Sequence, residues 1–302
     1  MLGLLILFLG INVFAAEKND GKPIRVLIVD GQNNHNWAGT TPVLKELLEE
    51  TKKFTVDVAT TPTQDEKKAD AEAYKNKMAE FKPDFSKYDV LVMNYNGDRW
   101  PKETEDAFEK YIADGGGLVI YHAANNAFSH WKEFNQMCAV GGWGGRNEKS
   151  GPYLYWEEGR VVRNPEPGVG GSHGPQWEFL IDVRDPEHPI MKGMPASFRH
   201  CKDELYDRLR GPAENVTILA TAFADKEKKG TGRHEPQLMV IEYGKGRVFH
   251  HCLGHDVAQC RSLSFIVPFL RGTEWAATGK VSIPVPENMP GTDAPVFKES
   301  KN

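Results

Sequence analysis

Apolar runs that alternate with helix-compatible segments constrain the fold of this chain more than any other feature. The first run, residues 24–30, is almost continuously apolar and ends in Asp-Gly, which is typical of a strand buried on both faces of a parallel sheet. Further strand-like runs cover residues 54–59, 89–95 and 118–122, and the intervening helix-compatible segments cover residues 41–48, 64–81 and 101–113. This alternation predicts a doubly wound, mostly parallel α/β sheet with helices on both faces.

The segments that follow these strands are the expected place for a ligand, because doubly wound sheets bind ligands beyond the carboxyl ends of their strands. Those segments, residues 31–37, 94–100 and 122–130, are rich in Asn, His, Asp and Trp. We therefore expect a polar, aromatic-lined mouth there. Thr41 and Pro42 predict the start of the first helix, as its N-cap and first helical residue.

With the segments after residue 130 added, the sequence predicts one α/β domain over residues 24–275. Residues 139–176 are rich in Gly and contain Trp143 and Trp156, which favours a lid insertion. Sheet-like segments resume after it. They cover residues 179–183, 216–223, 238–243 and 247–252, and a closing helix is expected at residues 261–270. Residues 284–302 are polar and contain Pro, which predicts a loose C-terminal tail.

The first fifteen residues carry no charged side chain. Their apolar run, residues 4–9, is much shorter than the roughly 20 residues needed to span a bilayer. Small residues at Ala15 and Ala16 form a cleavage site, so we predict a signal peptide at residues 1–15 and a periplasmic or secreted protein. The mature chain is then expected to have no membrane span. An apolar first strand or an uncleaved anchor is the alternative.

Charge and motifs exclude several classes of function. Lys and Arg number 37 against 42 Asp and Glu, for a net charge of −5, which argues against a nucleic-acid partner. No GxGxxG follows the first strand and no GxxxxGK[ST] occurs, so the fingerprints of dinucleotide and P-loop nucleotide sites are absent. The four cysteines show no CxxC spacing, and buried free thiols or one incidental disulfide are favoured. They are Cys138, Cys201, Cys252 and Cys260.

Two histidines stand at predicted strand ends. His122 follows a Gly-Gly-Gly turn and a strand, and small residues come directly after it. That pattern predicts a tight elbow that exposes the side chain at the top of the sheet. His255 follows the last strand, whereas His250 and His251 within that strand point to opposite faces. The spacing of His251 and His255 also suits a helical zinc motif, but Gly254 between them favours a strand followed by a loop.

The remaining candidates are polar. Glu204 belongs to the segment Asp-Glu-Leu-Tyr that ends at Tyr206, where a carboxylate pair can hold sugar hydroxyls, orient a histidine or bind a metal. A solvated turn is the alternative. The other candidate substrate-binding residues are Asn34, His35, Trp37, Asn125 and His234.

Taken together and in this order, these segments resemble the ThuA-like family, which is named for trehalose utilisation. The segments that carry the resemblance are Asn34-His35-Asn36-Trp37, the run from Gly115 to His122, Asp203-Glu204-Leu205-Tyr206 and the run from Gly244 to Asp256. The resemblance implies a flavodoxin-like fold of the class I glutamine amidotransferase-like superfamily. The amidotransferases place a catalytic Cys where this chain has His122, so amidotransferase chemistry is not expected. The resemblance also implies sugar catabolism, including the processing of 3-keto-disaccharides.

The resulting hypothesis is an exported enzyme that acts on a glycoside or a 3-keto-glycoside by elimination or hydrolysis. In it His122 and His255 are base and acid, and Glu204 orients one of them or helps to hold a divalent metal ion. No cofactor is firmly predicted beyond that candidate metal site of His122, Glu204 and His255. A metal-dependent hydrolase and a non-catalytic carbohydrate-binding protein are the alternatives. A small-molecule sugar is the expected partner.

Overall fold

A computed structural model describes residues 22–298 of the chain. The predicted signal peptide lies outside the described residues. The strands are β1 (Ile24–Asp30), β2 (Phe54–Thr60), β3 (Val90–Met93), β4 (Gly117–Tyr121), β5 (Tyr153–Glu157), β6 (Arg160–Asn164), β7 (Ser172–His173), β8 (Leu180–Val183), β9 (Ser197–Arg199), β10 (Tyr206–Asp207), β11 (Val216–Phe223), β12 (His234–Tyr243) and β13 (Gly246–His251). The helices are α1 (Trp37–Glu50), α2 (Gln64–Ala69), α3 (Ala71–Ala79), α4 (Lys102–Ala113), α5 (Lys132–Cys138), α6 (Val257–Cys260) and α7 (Leu263–Thr278). Between residues 22 and 298, none of the helices has the length and apolarity to cross a membrane.

The main sheet has the strand order β2-β1-β3-β4-β13-β12-β11-β8-β9. The first five strands are parallel, and their order confirms the predicted doubly wound α/β fold. From β12 onward the strands are antiparallel. The carboxyl ends of β1, β3, β4 and β13 therefore meet at one edge, which is where the candidate site lies.

Helices cover both faces of the parallel strands. Along β1, Val26 and Ile28 pack with residues of α1 and α7. Leu27 and Val29 point to the opposite face and pack with residues of α3, α4 and α5. This alternation explains why β1 is apolar at almost every position, since both of its faces are buried.

Helix α1 begins five residues earlier than predicted. Its N-cap is Asn36, whose side-chain oxygen accepts a hydrogen bond from the backbone N–H of Gly39 at 3.0 Å. Thr41 and Pro42 lie inside the helix, where proline lacks the N–H that would bond one turn back. The interpretation of Thr41 and Pro42 as the helix start was wrong because Asn36 is a better cap. The loop after β1 is correspondingly short.

The insertion at residues 139–176 is fastened to the domain at several points. Its hairpin β5–β6 contacts the start of β12, and β7 pairs with β10. The buried guanidinium of Arg146 donates hydrogen bonds to the carbonyl oxygens of Gly142 and Ala127, both at 2.7 Å. Arg210, also buried, donates to the carbonyls of Gly151 and Gly168 at 2.8 and 2.7 Å. The insertion forms a fixed wall of the mouth.

The segment after α7 is hydrogen-bonded to the domain within residues 284–298, the described part of the loose tail predicted for residues 284–302. The backbone N–H of Arg199 at the end of β9 donates to the carbonyl of Gly291 at 2.7 Å. Further along, the N–H of Leu263 donates to Val296 at 2.8 Å. Backbone hydrogen bonds hold this polar segment, and such bonds leave no mark in composition.

All four cysteines are buried and free, which is one of the two arrangements that the sequence favours. Burial raises the pKa of the Cys138 thiol to about 12, so this side chain stays protonated. The thiols therefore pack as small apolar groups.

Candidate functional site

A cavity of about 370 Å³ opens at the carboxyl edge of the parallel strands. It is lined by Asn34, His35, Asn96, Asn126, Trp143, Gly144, His173, Glu204 and Tyr206. The lining comes from the loops after β1, β3 and β4, from the insertion and from β10, as expected for the predicted mouth. A larger cavity of about 650 Å³ lies at the opposite edge, beside Arg25 and Asp89, and no histidine lines it.

Glu204 lies at the centre of a group of imidazoles. Its Oε1 is 3.2 Å from Nε2 of His255 and 3.7 Å from Nε2 of His173. Its Oε2 is 3.9 Å from Nε2 of His122 and has no hydrogen-bond partner, although it is buried. The carboxylate thus has one oxygen bonded to His255 and one oxygen unsatisfied.

His122 is held on the predicted elbow, where β4 passes into a 3-10 turn at His122–Asn126. Its φ of 43° is in the left-handed region, which residues other than glycine adopt rarely. Its Nδ1 lies 2.7 Å from the carbonyl oxygen of Cys252 and donates to it. Its Nε2 lies 3.0 Å from the Tyr206 hydroxyl, and the two rings stack at 4.5 Å between centroids.

His35 comes from the short loop after β1. Its ring contacts those of His122 and His255 edge to face, with centroids 4.8 and 4.6 Å apart. Its Nε2 is 3.4 Å from the Tyr206 hydroxyl. The side chains of Asn34 and Asn96 bond to each other and fix this loop against the loop after β3. Three histidines and one tyrosine therefore form one cluster, of which His35 and Tyr206 line the cavity.

Asp203 holds the backbone of the site in place from below. Its Oδ1 accepts the N–H of Glu204 at 2.8 Å and the N–H of His255 at 3.2 Å. Its Oδ2 accepts the N–H of Gly254 at 2.7 Å and Nε2 of His200 at 2.8 Å. The fully buried carboxylate therefore fixes two separate chain segments, and brings Glu204 and His255 together.

The environment moves the pKa values of the imidazoles in different directions. Burial lowers the pKa of His35 to about 4, and the nearby rings of His122 and His255 add to the effect. Burial also lowers the pKa of His122. The hydrogen bond with Glu204 raises the pKa of His255. The surroundings thus oppose protonation of His35 and His122 and favour protonation of His255.

The carboxyl groups below these rings stay ionised. Burial alone would raise the pKa of Glu204, but its hydrogen bond with His255 and the charges of the imidazoles hold it below the ordinary value. Burial also opposes ionisation of Asp203, yet the hydrogen bond from His200 keeps its pKa low, while the pKa of His200 rises to about 9. His200 and Asp203 thus form a buried ion pair beneath the site.

Six of the nine predicted site residues are brought together by the structure: Asn34, His35, His122, Glu204, Tyr206 and His255. Trp37 is half-buried and does not line the cavity. It is the first residue of α1 rather than part of a long loop, which is the consequence of the early helix start.

Asn125 and His234 also lie outside the cavity lining. Asn125 is buried behind the mouth, 3.1 Å from Nε2 of His250, because the tight turn after His122 presents Asn126 to the cavity instead. His234 lies beside Arg184 and Asp182. In β12, Leu238 pairs with His251, and His234 lies four residues before it. His234 is therefore roughly 13 Å along the strand from the position that pairs with His251.

Several lining residues and one supporting residue were not predicted individually. Asn96 and Asn126 lie in the segments expected to form the mouth, and His173 and Trp143 lie in the predicted lid. The glycines around Trp143 and His173 were the available signal, because they let the insertion approach closely. Asp203 was visible beside Glu204, but nothing in the sequence showed that it binds the loop at His255.

Comparison with known proteins decides the family. A model of the ThuA family, described as trehalose utilisation, matches residues 25–276. This chain belongs to the ThuA family. A ThuA-like protein of solved structure from Parabacteroides merdae ATCC 43184 is 48% identical over 92% of this chain and 98% of its own, with a TM-score of 0.86.

A ThuA-like protein from Bacteroides uniformis ATCC 8492 is 20% identical over 86% of this chain and 94% of its own, with a TM-score of 0.56, and shares the fold. No match is found among curated proteins. The predicted resemblance to the ThuA family is confirmed, and with it the α/β fold. In this ThuA protein the strand-end elbow carries His122.

Proposed function

We propose that this ThuA protein is an exported enzyme of sugar catabolism that processes a glycoside or a 3-keto-glycoside, with His122 and His255 as base and acid. The family description, trehalose utilisation, supports a sugar as substrate. The cavity supports it as well, because its lining combines three asparagines with one tryptophan. Amides bond hydroxyl groups in both directions, and an indole offers a flat apolar face for a sugar ring.

The anchoring of His122 is the observation that carries this proposal. Its Nδ1 donates to the carbonyl of Cys252 at 2.7 Å, so the proton of the neutral ring is on Nδ1 and Nε2 keeps a lone pair. Nε2 lies beside the Tyr206 hydroxyl at the cavity wall. A neutral imidazole fixed in this tautomer is placed to accept a proton from a bound substrate.

The chemistry follows from the acidity of a keto-sugar. A carbonyl at C3 acidifies the hydrogen at C2. His122 Nε2 takes that hydrogen as a proton, the C2–H electron pair forms a C1=C2 double bond, and the C1–O bond to the leaving group breaks. His255 gives its proton to the departing oxygen. His122 ends as imidazolium and His255 as neutral imidazole, so protons and charge balance.

Glu204 and Tyr206 have supporting roles in this reaction. Glu204 Oε1 accepts the Nε2 proton of His255 at 3.2 Å and holds that ring toward the cavity. The Tyr206 hydroxyl lies within 3.0 Å of His122 and 3.4 Å of His35, so it links the two neutral rings. The remaining amides position the sugar hydroxyls.

The test is an assay of the mature protein on 3-keto-trehalose and simple 3-keto-glucosides, with unoxidised trehalose for comparison. We expect turnover of the keto-sugars, and a kcat lower by about 100-fold or more in His122→Gln and His255→Gln. His188→Gln is the matched control, since His188 packs against Trp275 away from the cavity. Unchanged turnover in both site variants would overturn the assigned roles. A sugar-dependent rise in Tm without turnover would identify a binding protein instead.

A further inference from the structure

We propose that His35, Glu204 and His255 form a binding site for one divalent transition-metal cation of the Zn²⁺ type. In the described part of the chain, these three residues each offer one ligand atom, and the atoms lie within 4.8 Å of one another. Two of them, Glu204 Oε1 and His255 Nε2, are already 3.2 Å apart. Ligands at about 2.0–2.2 Å from a tetrahedral metal are separated by roughly 3.3–3.6 Å, so a small rotation of His35 completes the set.

The donor set selects the class of cation. Two imidazole nitrogens and one carboxylate oxygen match Zn²⁺ and neighbouring transition metals, whereas Mg²⁺ and Ca²⁺ require mostly oxygen ligands. His35 and Glu204 line the cavity. The remaining coordination position therefore opens toward the space where a water or a sugar oxygen would lie, as in catalytic rather than structural sites.

The unsatisfied oxygen of Glu204 is an independent observation in favour of a ligand. Glu204 is 8% exposed, and its Oε2 has no hydrogen-bond partner. A buried carboxylate oxygen without a partner is costly, and native structures rarely leave one. A cation bound by both oxygens of this carboxylate would satisfy Oε2 as well as Oε1.

The groups behind the three side chains support a metal site. Asp203 holds the backbone N–H groups of both Glu204 and His255, which fixes two ligands from one buried residue. The side-chain amide of Gln176 lies 3.2 Å from Nδ1 of His255. With its oxygen turned to that nitrogen, Gln176 accepts the Nδ1 proton and leaves Nε2 free to coordinate.

The inference rests on the proposed function only for the role of the cation. In the keto-sugar reaction the cation would replace the proton of His255: the departing oxygen would leave bound to the cation and take its proton from water. His122 is not among the three residues whose ligand atoms lie within 4.8 Å of one another, and it remains the base.

The binding test needs no substrate. The protein is purified without a histidine tag, treated with chelator, and titrated with Zn²⁺ by calorimetry and with Co²⁺ by visible absorption. We expect one cation per chain, and binding weaker by about 100-fold or more in Glu204→Gln and His35→Gln. Glu158→Gln and His188→Gln are matched controls, since Glu158 is solvent-exposed and His188 lies away from the cavity.

The outcomes separate this inference from the proposed function. No stoichiometric binding by the wild type, or undiminished binding by Glu204→Gln, would overturn the metal site. Circular dichroism and Tm of the metal-free variants show whether they fold, and Glu204→Gln keeps the shape of the side chain. Saturable binding without turnover of any keto-sugar supports the metal site and contradicts the proposed reaction. Full turnover in chelator-treated protein overturns the catalytic role of the cation and leaves the reaction standing.

Discussion

The Oδ1 of Asp203 accepts the backbone N–H of His255 at 3.2 Å, across 52 residues of sequence. The same carboxylate accepts hydrogen bonds from the backbone N–H groups of Glu204 and Gly254 and from Nε2 of His200. Gly254 has a φ of 99°, and a Cβ there would lie 2.5 Å from the Phe265 ring. One buried anion and one glycine thus fix the loop that presents His255.

Asp203→Asn is expected to lower the free energy of unfolding by about 2–4 kcal/mol, because an amide nitrogen would face donors that a carboxylate accepts. It should also separate Glu204 from His255 and weaken sugar or metal binding. Urea unfolding and calorimetry measure the two effects. Asp106→Asn on the exposed face of α4 is the control. A variant as stable as the wild type would mean that Asp203 does not hold this loop.

Tyr206→Phe removes the hydroxyl shared by His122 and His35 and keeps the ring stacked on His122. We expect kcat on a keto-sugar to fall by roughly 10–100-fold, because the two imidazoles lose the group that orients them. Steady-state kinetics measures this change. Tyr243→Phe loses only a bond to Glu109 and should leave kcat unchanged. Equal kcat for both variants would contradict the role of Tyr206.

Trp143→Ala is expected to weaken sugar binding by about 10-fold, because the Trp143 ring lines the cavity and lies 4.9 Å from Tyr206. Trp156→Ala is the matched control, since that ring lies on the β5–β6 hairpin beneath Arg184. Calorimetry with a non-reactive sugar compares the two. Equal losses in the two variants would mean that Trp143 is not part of a sugar site.

Glu235 is a buried acid outside the candidate site, and it should make the stability of the fold depend on pH. Burial raises its pKa to about 7, and the bond from Thr231 and the charge of Arg233 offset this only in part. A carboxyl with a raised folded-state pKa stabilises the fold fully below its unfolded pKa, and that contribution is lost as pH rises through the folded pKa. The contribution of Glu235 to the unfolding free energy should therefore fall by about 2–3 kcal/mol between roughly pH 4.5 and 7.

Glu235→Gln isolates this group, because it cannot ionise. The wild type and the variant should have similar stability near pH 4.5, and the variant should be the more stable above pH 7. Urea denaturation over this range measures the difference. Parallel curves for the two proteins would show that Glu235 is not buried as an acid.

Export makes a separate prediction about the N-terminus. Produced in a bacterium with a periplasm, the protein should lose residues 1–15 and begin at Ala16, because small residues define the cleavage site. Intact mass of the periplasmic fraction measures this directly. Ala15→Tyr should block processing. A full-length chain in the cytoplasm would contradict the predicted signal peptide.

The parallel half of the sheet could be predicted because each of its strands is buried on both faces and is therefore apolar at consecutive positions. The start of α1 was missed, because Pro42 is a strong local signal for a first helical turn, while Asn36 acts through a single side-chain hydrogen bond. Local sequence patterns indicate buried strands well, but they do not indicate which residue is the N-cap of a helix.

The candidate site was predictable where a side chain follows a strand. His122, His255 and His35 are all at carboxyl ends of parallel strands, and topology alone brings such ends together. His234 lies apart from this group because it is at the beginning of an antiparallel strand, whose length past its neighbour is not visible in the sequence. His173 and Trp143 depend on how the insertion folds back, which rests on buried arginine contacts between distant residues.

The residues after α7 affect how far the edge strand β9 is open to pairing with another chain. Strand β9 ends the antiparallel half of the sheet, and a free strand edge is a template for pairing with another chain. Here the carbonyl of Gly291 takes the N–H of Arg199, and the Arg199 side chain donates to the carbonyl of Thr292. The chain thereby covers part of the β9 edge and leaves fewer backbone groups there for pairing with another strand.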